Sequence, residues 1–273
     1  MCLCIRRALV GCCWNWFRGE GLGARSYTLA TDLRGSSRIN SKDFKMLFLV
    51  IDTSGRQGFV ALARADAASE SEDNVPLIES VPLLGGTFSA ELVPQIAGLL
   101  AKHGFGKSDI DAFIAVSGPG SFTGLRVGLA AIKALAEVLH KPIVPVSLLE
   151  VIAFGADVRG KIFSALDAGR GEVYVGQYEV DGNEGRRVAE QLLSRDEFLS
   201  EVGDGSVATP DPALANLANG AGARARVIEP PDAVMIARLG CRKLRAGEVV
   251  AAELLDANYI RRTDAEIFGK PGA

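Results

Sequence analysis

The sequence predicts an α/β fold of two lobes, each opened by an antiparallel strand meander, with the second lobe reduced. Three observations predict it. A continuous apolar strand pattern starts at Met46. Two stretches of helical period, 88–103 and 125–139, are separated by a strand and a glycine-rich turn. A second, thinner strand trio begins at Ile162.

Residues 47–52 are an unbroken apolar run that ends in Asp52-Thr53-Ser54 and a turn at Gly55. The run 58–65 reads as a second strand, so the two form a hairpin. A polar, acidic loop follows at 67–74, then a third strand at 75–84. Pro76 and Pro82 within it favour a sheet edge. From 88 the period becomes helical: Phe88, Leu92, Ile96, Leu99 and His103 fall on one face. Ser89 is the expected cap, and Pro94 is placed near the first turn, where proline costs least. A strand at 110–116, the turn 118–124, a helix at 125–139 and a strand at 143–146 complete the first lobe. Leu125, Leu129, Ile132, Ala136 and Leu139 line one face of that second helix. Three strands, helix, strand, helix, strand is an order that resembles the ribonuclease H-like fold, a mixed sheet covered by helices.

A linking helix is expected at 147–155. Strands at 162–167, 172–179 and 187–193 then repeat the meander, with a turn at 168–171. Short helices at 195–201 and 211–218 follow, the latter leading into a loop of glycine and alanine. A last helix spans 232–246, with Pro231 before its start. The expected division is a leader at 1–45, a first lobe at 46–148 with helix 232–246 packed back on it, a smaller lobe at 149–230, and a tail at 247–273.

Composition agrees with a globular protein able to bury a core: 48% apolar and 23% charged over 273 residues. No apolar stretch reaches the roughly 18 residues a membrane-spanning helix needs. The net charge is −3, whereas a surface dedicated to nucleic-acid phosphates is basic, so any RNA is expected to be held by a partner. Residues 1–45 differ from the rest. They carry eight Lys/Arg against three Asp/Glu, both tryptophans, and Cys2, Cys4, Cys12 and Cys13. The apolar run after Arg6-Arg7 is too short for a secretory signal, and the box at 9–12 only superficially resembles a lipoprotein cleavage site. A tail without fixed structure is one reading. The reading preferred is a start assigned too far upstream, with Met46 as first residue. Cys241 is then the one remaining cysteine, which suits a reducing cytoplasm.

The segment Gly118-Pro119-Gly120-Ser121-Phe122-Thr123-Gly124-Leu125-Arg126 joins a strand to a helix. It reads either as a tight turn with Ser121 or Thr123 as helix cap, or as an anion site built on free helix-start amides. As a whole it resembles the glycoprotease-like family, in particular its TsaB (YeaZ) branch. Four other stretches agree in the same order: 48–54 (FLVIDTS), 89–96 (SAELVPQI), 167–174 (DAGRGEVY) and 258–266 (NYIRRTDAE).

The resemblance implies two ribonuclease H-like lobes of the actin-like ATPase superfamily and an accessory, dimerising role in forming threonylcarbamoyladenosine beside the anticodon of ANN-reading tRNAs. It implies a TsaD-type catalytic subunit as partner, a TsaE-type ATPase reached through the complex, self-association as a homodimer, and tRNA contacted only through the complex. No catalytic residue is expected in this chain. Asp52, Thr53, Ser54 and Asp167 stand where the superfamily's phosphate loops stand, and are read as a vestigial nucleotide site; weak ATP, ADP or Mg²⁺ binding between the lobes is the alternative, as in a small ATPase or kinase-like protein. No metal site is expected. The TsaD-type paralogue binds metal through two histidines one helical turn apart, whereas this chain has His103 and His140, far apart in sequence. Phe88 stands where the branch keeps a histidine, and Gly169 where it keeps an arginine. Gly124 and Gly128, one turn apart with Ala131 next on that face, imply close approach by another backbone, because helical glycine costs about 1 kcal/mol relative to alanine. That backbone is either the chain's own sheet or a partner. On the family's pattern the partner surface would use Phe88, Leu92, Gly124, Leu125, Val127, Gly128 and Ala131.

Overall fold

The computed structural model describes residues 45–66, 75–181 and 184–260. The leader up to residue 44, the loop 67–74 and the final residues 261–273, including most of the last family-like stretch, lie outside the described residues.

β1 (Lys45–Asp52), β2 (Gln57–Asp66) and β3 (Leu77–Leu84) form the antiparallel meander. α1 (Phe88–Lys102) leads to β4 (Ala112–Gly118), and α2 (Phe122–Leu139) to β5 (Ile143–Ser147); β4 runs parallel to β1, and β5 to β4. The strand order is β3-β2-β1-β4-β5, which puts the proline-containing β3 at an edge. β1 is apolar on both faces because both are covered. Leu47, Leu49 and Ile51 pack with α1 and α2, whereas Phe48 and Val50 pack on the opposite side with Ile236, Ala237 and Leu239. Those three belong to α6 (Ala233–Arg245), so the last helix covers the back of the first sheet. Gly240 allows its close approach: a Cβ there would stand 2.5 Å from Ile114 Cγ2.

α3 (Leu148–Gly155) passes to the second sheet and covers one of its faces through Leu149 and Ile152. β6 (Gly160–Gly169), β7 (Glu172–Asp181) and β8 (Glu184–Ser194) form the second meander. α4 (Arg195–Val202), β9 (Ser206–Thr209), α5 (Pro212–Gly220) and β10 (Arg224–Val227) follow, in the order β10-β9-β6-β7-β8. This is the first lobe's topology element for element, so both lobes are ribonuclease H-like. The second is reduced in length rather than in parts: its helices have 8 and 9 residues against 15 and 18 in the first. β9 and β10 were not expected. Each has four residues, too short for an alternation to register, and they pair because β6 offers a parallel edge.

Two local expectations are corrected. α1 is entered from Thr87, with no side-chain cap, and Ser89 is already inside the helix; Thr87 Oγ1 donates instead to the carbonyl of Leu84. α2 begins at Phe122, three residues before the apolar stripe, because Ser121 caps it and accepts from the Gly124 amide at 3.3 Å.

Candidate functional site

β1 ends by turning its last carboxylate back on itself. Asp52 Oδ1 accepts from the Ser54 amide at 2.8 Å and from Ser54 Oγ at 2.6 Å. Asp52, Thr53 and Ser54 are all buried. Burial pushes the Asp52 carboxyl above the ordinary carboxylate range, and the two Ser54 hydrogen bonds oppose that rise.

The nine-residue motif folds over this turn. A Cβ at Gly120 would lie 2.3 Å from the Ser54 carbonyl oxygen, one at Gly124 2.1 Å from the Thr53 carbonyl oxygen, and one at Gly128 2.2 Å from Thr53 Oγ1. The Ser121 amide donates to the Ser54 carbonyl at 2.6 Å. The glycines therefore form a hole into which the Asp52–Ser54 turn is pressed. Of the two neighbours the glycine spacing allowed, the structure places the chain's own turn here: Gly124 admits the Thr53 backbone and Gly128 its side chain. It also bears on the anion reading, because the amides of Ser121, Gly124 and Leu125 already have partners within the protein. Gly118, with φ +136°, precedes a cis bond to Pro119 and lies against the Asn258 carbonyl, 2.9 Å from where a Cβ would be.

A cleft of about 900 Å³ separates the lobes. The first lobe lines it with Ser54, Arg56 and the motif residues 119–125, the second with Asp167, Ala168, Arg170 and Tyr174. Asn258, Tyr259 and Ile260 also line it. Of the four residues read as a vestigial nucleotide site, Ser54 and Asp167 face the cleft, whereas Thr53 is packed against Gly124 and Gly128 and Asp52 is buried with its carboxylate on Ser54. Among the described residues no group of three His, Cys, Asp or Glu side chains is placed to hold a metal ion. His103 caps the end of α1 and its Nε2 lies 2.7 Å from Glu79 Oε2; His140 ends α2 in the left-handed conformation, φ 51°.

The residues expected to anchor a partner divide differently. Phe88, Leu92 and Leu125 are buried in the first core, because apolar positions on these helices face the sheet; Phe88 packs its ring over Gly58 and Gly124. Val127 and Ala131 are partly buried against the same core. What α1 leaves in solvent is a stripe of Ala90, Val93, Pro94, Ala97 and Gly98, with Val93 57% exposed; α2 leaves Ala130, Ala134 and Val138, the last 69% exposed.

Sequence reasoning did not join Arg126 to Tyr259, although both lie in family-like stretches. The Arg126 guanidinium stacks 3.7 Å over the Phe122 ring, its Nε donates to Tyr259 Oη at 3.0 Å, and the two rings are 5.0 Å apart. Glu190 carried no signal at all. It is one acid in a strand, yet its side chain is 4% exposed and accepts from Tyr178 Oη and Asn258 Nδ2.

A family model described as TsaD, tRNA N6-adenosine threonylcarbamoyltransferase, matches residues 85–255. The tRNA threonylcarbamoyladenosine biosynthesis protein TsaB of Bacillus subtilis is 35% identical over 135 residues, 49% of this chain and 56% of that protein. Its counterpart from Escherichia coli is 30% identical over 189 residues, 64% of this chain and 80% of that protein. The chain thus spans little more than half of the Bacillus relative. The solved structure of YeaZ from Pseudomonas aeruginosa superposes with a TM-score of 0.58 at 25% identity, covering 78% of this chain and 99% of that one.

Proposed function

The chain belongs to the TsaB (YeaZ) family, with two ribonuclease H-like lobes of the actin-like ATPase superfamily, and from that premise we propose that it is a non-catalytic docking subunit in tRNA threonylcarbamoyladenosine formation. It docks on a TsaD-type subunit that carries the transfer site. A TsaE-type ATPase and the ANN-reading tRNA are reached through that complex, in the cytoplasm. The observation that carries this reading is the exposed apolar stripe on α1 beside a similar stripe on α2. A surface helix normally turns its apolar face inward, and here the inward face is already filled. A second row of small apolar residues in solvent fits another helix pair at close range. The partner class is similar in sequence over residues 85–255, the stretch that includes both helices, since its family model matches this chain there.

A small ATPase or kinase-like alternative would use Asp52 and Asp167; Asp167 faces the cleft, but Asp52 is buried and bonded to Ser54, which supports docking over nucleotide chemistry. The test is binding of the full chain to its cognate TsaD-type subunit, with Val93→Glu/Ala97→Glu as the perturbation. The double variant should bind at least about tenfold more weakly at unchanged melting temperature, about 1.4 kcal/mol or more at the interface. Unchanged affinity would remove this face from consideration. Threonylcarbamoyl transfer reconstituted with and without the chain then checks the role; transfer of equal rate without it would refute the proposal. Self-association through the same face is read in parallel by sedimentation.

A further inference from the structure

We propose that residues 251–260 form a latched strap over the interlobe cleft, with Glu190 as the catch. The strap leaves the first lobe where Val250 bridges Ile143, with hydrogen bonds of 2.8 and 3.3 Å. It makes a short 3-10 turn at Ala252–Leu254 and is pinned to α2 by Lys133 Nζ, which donates to the Leu255 carbonyl at 2.8 Å. Leu255 is buried in the first core. Up to this point the strap belongs to the first lobe alone.

Asn258 is where it joins the second. Its backbone amide donates to the Ser117 carbonyl at 2.7 Å, at the end of β4. Its side chain turns the other way, and Nδ2 donates to Glu190 Oε2 on β8. The other Glu190 oxygen accepts from Tyr178 Oη, and Tyr178 is buried in the core of the second lobe. One residue is thus bonded to the first sheet by its main chain and to the second by its side chain. The acceptor is a carboxylate with little exposure, and Arg187 Nη1 stands 3.7 Å from it. Hydrogen bonds to a charged acceptor are stronger than neutral ones, and a carboxylate this sheltered is penalised for losing a donor. The strap's polar link to the second lobe is therefore one strong contact, set beside the packing of Ile260 on that lobe's core, and water replaces it on opening.

Closing has a consequence in the cleft. Tyr259 follows Asn258; its hydroxyl accepts from Arg126 Nε and its ring packs beside Phe122, over which Arg126 stacks. Opening of the strap, which parts Asn258 from both Glu190 and Ser117, withdraws Tyr259, frees Arg126 and uncovers the wall formed by the motif turn.

The experiment is hydrogen–deuterium exchange on the full chain, resolved for residues 255–260, the turn 119–123, and strands β1 and β6. Asn258→Asp sets a carboxylate against Glu190. It should speed exchange of the strap and the turn about tenfold or more, the loss of one charge-assisted hydrogen bond, with β1 and β6 unchanged. Glu190→Gln combined with Asn258→Asp restores a donor and an acceptor with roles exchanged, and should return strap exchange toward the wild-type rate. A residue that merely filled space would show no such recovery. Asn258→Ala, which keeps the backbone anchor, serves should the charged variant fail to fold, and is expected to speed the strap equally. Wild-type strap exchange in Asn258→Ala, or no recovery in the combined variant, overturns the proposal.

Discussion

Gly128→Ala tests whether the motif glycines admit the chain's own turn. In an open helical site this substitution stabilises by about 1 kcal/mol, because alanine is the better helix former. Gly98 on α1 is such a site, with nothing within 4 Å of a built Cβ. At Gly128 the new methyl would stand 2.2 Å from Thr53 Oγ1 and 3.2 Å from Thr53 Cβ and Cγ2. Thr53 is buried, and it has no room to retreat because its own carbonyl is pressed against Gly124. Overpacking of this kind costs about 1–3 kcal/mol. The two effects oppose, and with a buried, doubly held neighbour the clash dominates, by up to about 2 kcal/mol, or up to roughly 8 °C in melting temperature for a chain this long. Gly98→Ala should instead raise the melting temperature by about 2–4 °C. Thermal melts followed by circular dichroism read both. Thr53→Ala removes Oγ1 and Cγ2, so in a double-mutant cycle it should return about 0.5 kcal/mol or more of the Gly128→Ala loss. A Gly128→Ala variant as stable as the parent, or more so, would refute the packing argument.

Three further outcomes follow from the same geometry. Phe88→Ala should cost about 3–4 kcal/mol of stability while leaving partner affinity of the folded fraction intact, since Phe88 is core; a selective loss of affinity would return it to the interface. Asp52→Asn keeps the acceptor for both Ser54 donors without a buried charge. A carboxyl whose folded pKa is raised favours the fold only while protonated, so its contribution is present below the unfolded value of 3.8 and lost as pH rises through the folded value. Asp52→Asn should therefore be the more stable protein at neutral pH, with the difference closing as the pH is lowered towards 3.8; melts across that range check it. Lys243 Nζ lies 3.0 and 3.2 Å from the Glu150 carboxylate oxygens, and their side chains are 15% and 16% exposed. Burial holds Glu150 above the ordinary range even with this partner. Lys243→Met strands that carboxylate and should lower stability by about 2–4 kcal/mol, with partial recovery on adding Glu150→Gln, measured by urea denaturation.

What one sequence could determine here was whatever depends on local pattern. The run from Leu47 to Ile51 marks a strand buried on two faces, the 3.6-residue spacing of Leu125, Leu129, Ile132 and Ala136 marks a helix on a sheet, and the prolines of β3 mark an edge. The ordered family-like stretches carried the fold further than periodicity did, by implying a second ribonuclease H-like lobe, but neither placed β9 and β10, which are too short to leave a pattern. The tertiary structure decided which surface each of those residues meets. The spacing of Gly124 and Gly128 announces that a backbone comes close, and only the folded chain shows that it is Thr53. Phe88, Leu92 and Leu125 read equally well as core or as anchor, because an apolar side chain on an amphipathic helix says which face is buried and not by what. Glu190 and Asn258 are 68 residues apart, and their contact exists because two lobes of the same topology bring a strand of one beside the strap of the other. Local sequence sets the preferences of a segment, while the long-range contacts that build a site are fixed by how complete sheets and helices pack against one another.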